Sequence, residues 1–110
     1  MNVTSATPLE SPIKRTFLNA SSLGSTLVVA GAGDSRIRVF SVATVAAGAV
    51  SVKFQSAATD ISATFALAAN GGFILPFNEH GWFETAPGES LNFNLSAAVA
   101  TGVSIQYQVV

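Results

Sequence analysis

His80 is the only histidine of this 110-residue chain, and in Asn78-Glu79-His80-Gly81 it stands beside one carboxylate and close to a second, Glu84. Metal sites draw on several His, Cys or carboxylate ligands in defined geometry. Glu79 and His80 contribute to one only if the fold brings Asp34, Asp60 or Glu89 alongside. A second route is for copies of His80 to meet on a symmetry axis, where they would bind a metal or sense pH. Without either, the segment is a polar loop. A Ser-His-acid triad has many serines to draw on, yet no Gly-x-Ser-x-Gly elbow presents one as a nucleophile. Spacing alone leaves the paired carboxylates of a glycosidase open, but four of the six acids adjoin turn residues, the usual place for solvated charge. The absence of cysteine removes disulfides, thiolate metal sites and a cysteine nucleophile.

Gly31-Ala32-Gly33-Asp34-Ser35-Arg36 follows the apolar run Thr26 to Ala30 and shares two glycines with a dinucleotide fingerprint. That mechanism needs a third glycine and a helix N-terminus to receive pyrophosphate. Arg36 occupies the third position and a strand pattern follows, so the segment is expected to be a turn. Phe73, Phe77, Trp82 and Phe83 crowd one short region. Core packing, a subunit interface and a ligand platform all use such a cluster, although one Trp, one Tyr and eight Phe supply bulk with few polar handles. No catalytic set and no cofactor are expected. The candidate interface residues are Pro8, Pro12, Phe77, His80, Trp82 and Phe83.

The elements that position these residues are strands. Val50, Val52 and Phe54 alternate with Ser51, Lys53 and Gln55; Leu91, Phe93 and Leu95 alternate with Asn92, Asn94 and Ser96. Val103, Ile105, Tyr107 and Val109 alternate with Ser104, Gln106 and Gln108, and Arg36 and Arg38 oppose Ile37 and Val39. A period of two with one apolar face describes antiparallel sheets packed on one side. Turn signals recur at Gly31 to Asp34, Ala47-Gly48, Ala58 to Asp60, Asn70 to Gly72, Asn78 to Gly81, Pro87-Gly88 and Thr101-Gly102. Strands are predicted at 14–20, 25–30, 36–45, 49–56, 61–67, 72–76, 81–85, 90–96 and 102–109. Eight or nine short strands at this spacing predict an all-β sandwich or barrel, with an antiparallel β-sandwich of two packed sheets expected.

Composition sets the outer bounds. Hydrophobic residues make up 49% and charged residues 10%, against ~25% charged in ordinary soluble domains. Such a chain does not read as disordered. At 110 residues it fits a single domain that buries roughly 65% of its unfolded surface. A net charge of −1, with no basic residues interleaved among aromatics, predicts neither nucleic-acid nor membrane binding. The N-terminus lacks a basic start and an apolar core, and Val39 to Val52 is too interrupted to cross a membrane as a helix; synthesis and folding in a cytoplasm are expected. The three Asn-x-Ser/Thr sequons then carry no meaning.

Residues 1–12 are Ser/Thr/Pro-rich and without an apolar period, and read as an extended arm before a single domain over 13–110. The arm is either a frayed terminus or a segment that orders against a neighbouring subunit. All five cations lie in residues 1–55 and four of the six acids in 56–110. Interleaved strands need not keep that split in space.

The order Asn70-Gly71-Gly72, a strand ending at Pro76, Gly81-Trp82-Phe83-Glu84-Thr85, then Gly88-Glu89-Ser90-Leu91-Asn92-Phe93-Asn94-Leu95 resembles a pattern in small virion structural proteins of tailed bacteriophages. It covers about the C-terminal half. The resemblance implies a jelly-roll-like sandwich that trimerises and serves in the virion as a capsid decoration (cement) protein or a fibre component. Its partners would be further copies of itself and the major capsid protein or another virion protein. It implies no site residues. A sugar- or receptor-binding module of a tail or fibre is the alternative reading, and a small hydrolase built on His80 a remote third. The outward strand positions, Ser, Thr, Asn, Gln and Ala, lose little side-chain entropy on burial and hint at assembly.

Overall fold

The computed structural model describes residues 12–110. Ten strands follow one another: β1 (Lys14–Ala20), β2 (Gly24–Val29), β3 (Ile37–Ala46), β4 (Val50–Ser56), β5 (Thr59–Asp60), β6 (Phe65–Leu67), β7 (Gly72–Leu75), β8 (Phe83–Glu84), β9 (Leu91–Leu95) and β10 (Thr101–Val109). The described residues contain no helix, hence none long and apolar enough to cross a membrane.

The strands form two antiparallel sheets. The first runs β1-β10-β3-β7, with β8 also on β3; the second runs β2-β9-β4-β5, with β6 also on β4. Pairing early strands with late ones, β1 with β10 and β2 with β9, wraps the chain as a jelly roll. The alternating positions explain why the sheets face each other. Ile37, Val39, Val42, Ala46, Val103 and Ile105 point inward from the first sheet, and Val50, Val52, Phe54, Leu91, Phe93 and Leu95 from the second; all are buried in one core. Phe54 is its hub, with ring centroids 4.9 Å from Phe83 and 5.1 Å from Phe93.

Three local departures from strict alternation matter. The β3–β10 register shifts between Gln106 and Tyr107, whose partners are Ser41 and Val39, so Phe40 is an extra residue in a β-bulge. Phe40 is buried yet lies outside the central core, stacked on Phe77 at 5.4 Å. The strand expected over 61–67 is confined to β6, because the chain beforehand is tied down differently. The Ile61 N–H bonds the Phe54 carbonyl at 3.0 Å and the Ser62 hydroxyl accepts the Phe54 N–H at 2.8 Å. Finally, Thr101-Gly102 is not a turn: both residues are paired in β10, Gly102 between Asn19 and Val45.

Candidate functional site

The connection between β7 and β8 carries three of the six candidate residues. Its backbone is pinned to the bulged part of β3, the Asn78 N–H on the Phe40 carbonyl at 3.0 Å and the Trp82 N–H on the Val39 carbonyl at 2.7 Å. The Trp82 indole N–H bonds the Pro76 carbonyl at 2.8 Å, and the Asn78 side chain accepts the His80 N–H at 2.9 Å. Gly81 closes the turn at φ +82; a side chain there would also strike Arg38. Phe77, His80 and Trp82 are exposed on this loop, whereas Phe83 turns inward onto Phe54. Phe73 likewise packs inward, against Phe65 at 4.4 Å. The aromatic cluster thus divides between core and surface. Pro12 is exposed ahead of β1, and Pro8 lies outside the described residues.

The charged residues named as potential ligands are spread over separate contacts. Glu84 receives Arg38 Nε at 2.7 Å and Arg36 Nη1 at 3.2 Å. Burial pushes its carboxyl up, and the hydrogen bonds from Arg38 and Arg36 outweigh that and hold it below the ordinary glutamate value. Asp60 takes Gln55 Nε2 at 2.9 Å and Lys53 Nζ at 3.1 Å, which together lower its pKa. Glu89 accepts the buried Ser56 hydroxyl, whose oxygen in turn accepts the Ala86 N–H at 2.9 Å. Among the described residues, no three His, Asp or Glu side chains come together as a metal cage. Gly31 to Asp34 is a turn, the Ser35 N–H closing on the Ala32 carbonyl at 3.1 Å. Among the described residues, each of the three ion pairs joins a cation of the first half to an acid of the second, so the charge split along the chain does not persist as two poles in space.

The most distinctive surface lies on the outer face of the β1-β10-β3-β7 sheet. Register sets Phe17 opposite Ser104, Ser104 opposite Ala43, and Ala43 opposite Ile74, one outward row across four strands. The next row is Asn19, Gly102, Val45 and Gly72; the row on the other side starts Arg15, Gln106, Ser41 and leads to Pro76. Phe17 is 72% exposed, Ile74 74% and Val45 60%. Phe17 and Ile74 stand as ridges on the two margins, and the small residues between them form a trough. Two adjoining depressions of about 420 and 690 Å³ share Phe17, Ser104, Ala43 and Ile74 as lining. At the rim, β7 approaches β3 so closely that a Cβ on Gly72 would lie 1.9 Å from the Thr44 carbonyl oxygen.

Phe17, Val45 and Ile74 are absent from the sequence-derived candidates. Their signal was an apolar residue out of phase with an apolar strand: Phe17 before Leu18, and Ile74 between Phe73 and Leu75. The opposite outer face, on β2, β9 and β4, has another character. Asn94 Nδ2 donates to the Ser25 hydroxyl at 3.0 Å, Ser25 donates to Gln55 Oε1, and Gln55 passes on to Asp60. No protein-family model, curated protein or solved structure matches this chain.

Proposed function

We propose that the chain is a non-enzymatic structural subunit of a tailed-phage virion: a homotrimeric capsid decoration protein that bridges neighbouring capsomers, made and folded in the host cytoplasm. The observation that carries this reading is the neutral, apolar outer face of the β1-β10-β3-β7 sheet, with Phe17, Val45 and Ile74 standing in solvent. Exposed apolar surface of this kind marks a protein contact more often than a catalytic site. The jelly-roll wrap and the resemblance of the C-terminal half to virion proteins support the same direction, although a fold alone assigns no activity. Mechanically, such a protein works by adding buried area where capsid subunits meet, with residues 1–12 contributing to attachment.

The test is fractionation of particles into heads and tails, probed for this chain, followed by rebinding of purified protein to emptied heads. Travel with heads and saturable rebinding are expected. Travel with tails, or no rebinding, would overturn the decoration role. Deleting residues 1–12 is expected to weaken rebinding while the domain stays folded; unchanged occupancy would remove the arm from the attachment. One observation favours the second reading, a sugar- or receptor-binding module: Trp82, 40% exposed beside Phe77, presents an aromatic surface on a loop. Saturable glycan binding abolished by Trp82→Ala would move the assignment there.

A further inference from the structure

We infer that the outer face of the β1-β10-β3-β7 sheet is the surface through which one copy of this chain docks on another. The inference deepens the homotrimeric reading and rests on it for the number of copies alone.

Shape supplies the first argument. Ridges at Phe17 on β1 and Ile74 on β7 flank a trough two strands wide, floored by Ser104, Ala43 and Gly102. A second copy displaced sideways lays one of its ridges in this trough. The same chain therefore carries both the knob and the hole. Repeated with a third of a turn the contact closes a trimer, and with half a turn a dimer.

Chemistry supplies the second. Interface centres are depleted of charge, and Arg15, at one end, is the only charged residue in the three rows. A second copy brings an equally uncharged surface to the middle of the trough, so no charge is stranded at the centre of the contact. A small-molecule ligand is less well served, because the trough offers few orienting polar groups and, in the row beside it, the Ser41 hydroxyl already donates to Gln106 Oε1 at 2.7 Å.

Area supplies the third. Four strands at ~4.8 Å spacing and the three rows, with their side chains, make a face about 20 Å square, or roughly 400 Å² in projection. Each partner of a standard interface contributes roughly 600–1,000 Å². Pro76 joins the face to the exposed Phe77 and Trp82 loop, which enlarges it toward that range. Sheet-to-sheet contact alone is thus too small, and the loop is part of the interface.

The experiment is light scattering and native mass measurement on the full chain at micromolar concentration. Wild type, the double variant Phe17→Ser/Ile74→Ser and a control, Leu27→Ser on the other sheet, are compared, with circular dichroism confirming the fold. The expected result is an oligomeric wild type and control, and a folded double variant whose association is weakened at least tenfold. A monomeric wild type, or a double variant that stays assembled, overturns the inference. Should the double variant not fold, Ser104→Cys serves instead, since the chain has no cysteine of its own. Its thiol should be modified more slowly as protein concentration rises; a rate independent of concentration overturns the inference. A monomer in which that thiol becomes reactive only after residues 1–11 are removed gives the face to the chain's own N-terminal segment, and also overturns it. A wild-type trimer indifferent to the double variant removes the face and leaves the trimer. A wild-type dimer dissolved by it keeps the face and removes the trimer.

Discussion

On the outer face of the β2-β9-β4 sheet, Asn94, Ser25, Gln55, Asp60 and Lys53 hold one another in a continuous set of hydrogen bonds. On the outer face of the β1-β10-β3-β7 sheet, the equivalent positions carry Phe17, Ser104, Ala43, Ile74 and Val45. Both sheets rest on the same core, so stability of the sandwich does not require them to differ. The polar face has its donors and acceptors engaged internally and Gln55 nearly buried at 7% exposure, leaving few groups for a partner. The apolar face has ridges that touch little of their own chain. Apart from the exposed Leu27 on β2, the first surface is satisfied within the subunit, and the other gains by being covered.

Substitutions can break that comparison, and the shared core sets its scale. Phe93→Ala, which removes a fully buried ring beside Phe54, is expected to cost about 3–5 kcal/mol in denaturant unfolding and to weaken both sheets together. A smaller loss would mean that the two sheets are not held by one core. Next comes the polar network. Gln55→Ala removes the group linking Ser25 to Asp60 and is expected to cost about 1–3 kcal/mol, whereas Ser104→Ala, in the apolar trough, should stay within about 0.5 kcal/mol. Equal costs would erase the distinction between the faces.

The ion pairs contribute less. Glu84, held below its ordinary value, adds stability that is present above about pH 4.5 and is lost as the pH falls through its folded pKa. Its partners Arg36 and Arg38 are partly exposed, which limits the contribution to at most about 1 kcal/mol. Glu84→Gln should therefore lower stability at neutral pH and flatten the acid limb of the unfolding curve; an unchanged acid limb would show that the pair does not couple to folding. The smallest effect is expected at Phe17→Ser. Measured at dilution, where copies are apart, the unfolding midpoint should move by no more than about 0.5 kcal/mol equivalent. A large shift there would place Phe17 in its own subunit's core and sink the idea of a surface waiting to be covered.

The strands were legible because their inward residues recur at every second position with polar residues between, as in Leu91, Phe93 and Leu95. The arginine pair was legible in the same way, Arg36 and Arg38 both reaching Glu84 from one side of β3. The bulge was not. From Val39 to Ala46 almost every residue is apolar or small, so nothing in the pattern marks Phe40 as the one that breaks step. Around Ala57 the turn falls one residue earlier than its composition suggests. Ala57 takes φ +53, a conformation that favours glycine, and its N–H bonds the Ser90 carbonyl at 2.9 Å; Thr59 and Asp60 are already strand. Of the aromatic cluster, Trp82 and Phe77 are at the surface, but Phe83 is separated from them because β8 pairs with Arg38 and Val39 and turns it inward. Phe17 and Ile74 fall in one outward row only through the cross-strand register, which aligns positions 57 residues apart that no local period connects.

That register has a consequence for how the chain is made. β10 is a central strand of its sheet, bonded to β1 on one side and β3 on the other, with Lys14 facing Tyr107 and Ile37 facing Val109. Until residues 101–109 have been synthesised, β1 has no partner, and both it and β3 offer raw edges to any neighbouring chain. Folding must close loops nearly as long as the molecule, which places it in the slow, millisecond-to-second class. A chain broken off a few residues before β10 should therefore yield an aggregate instead of a smaller sandwich, and crowding of nascent copies would be most hazardous just before β10 is made.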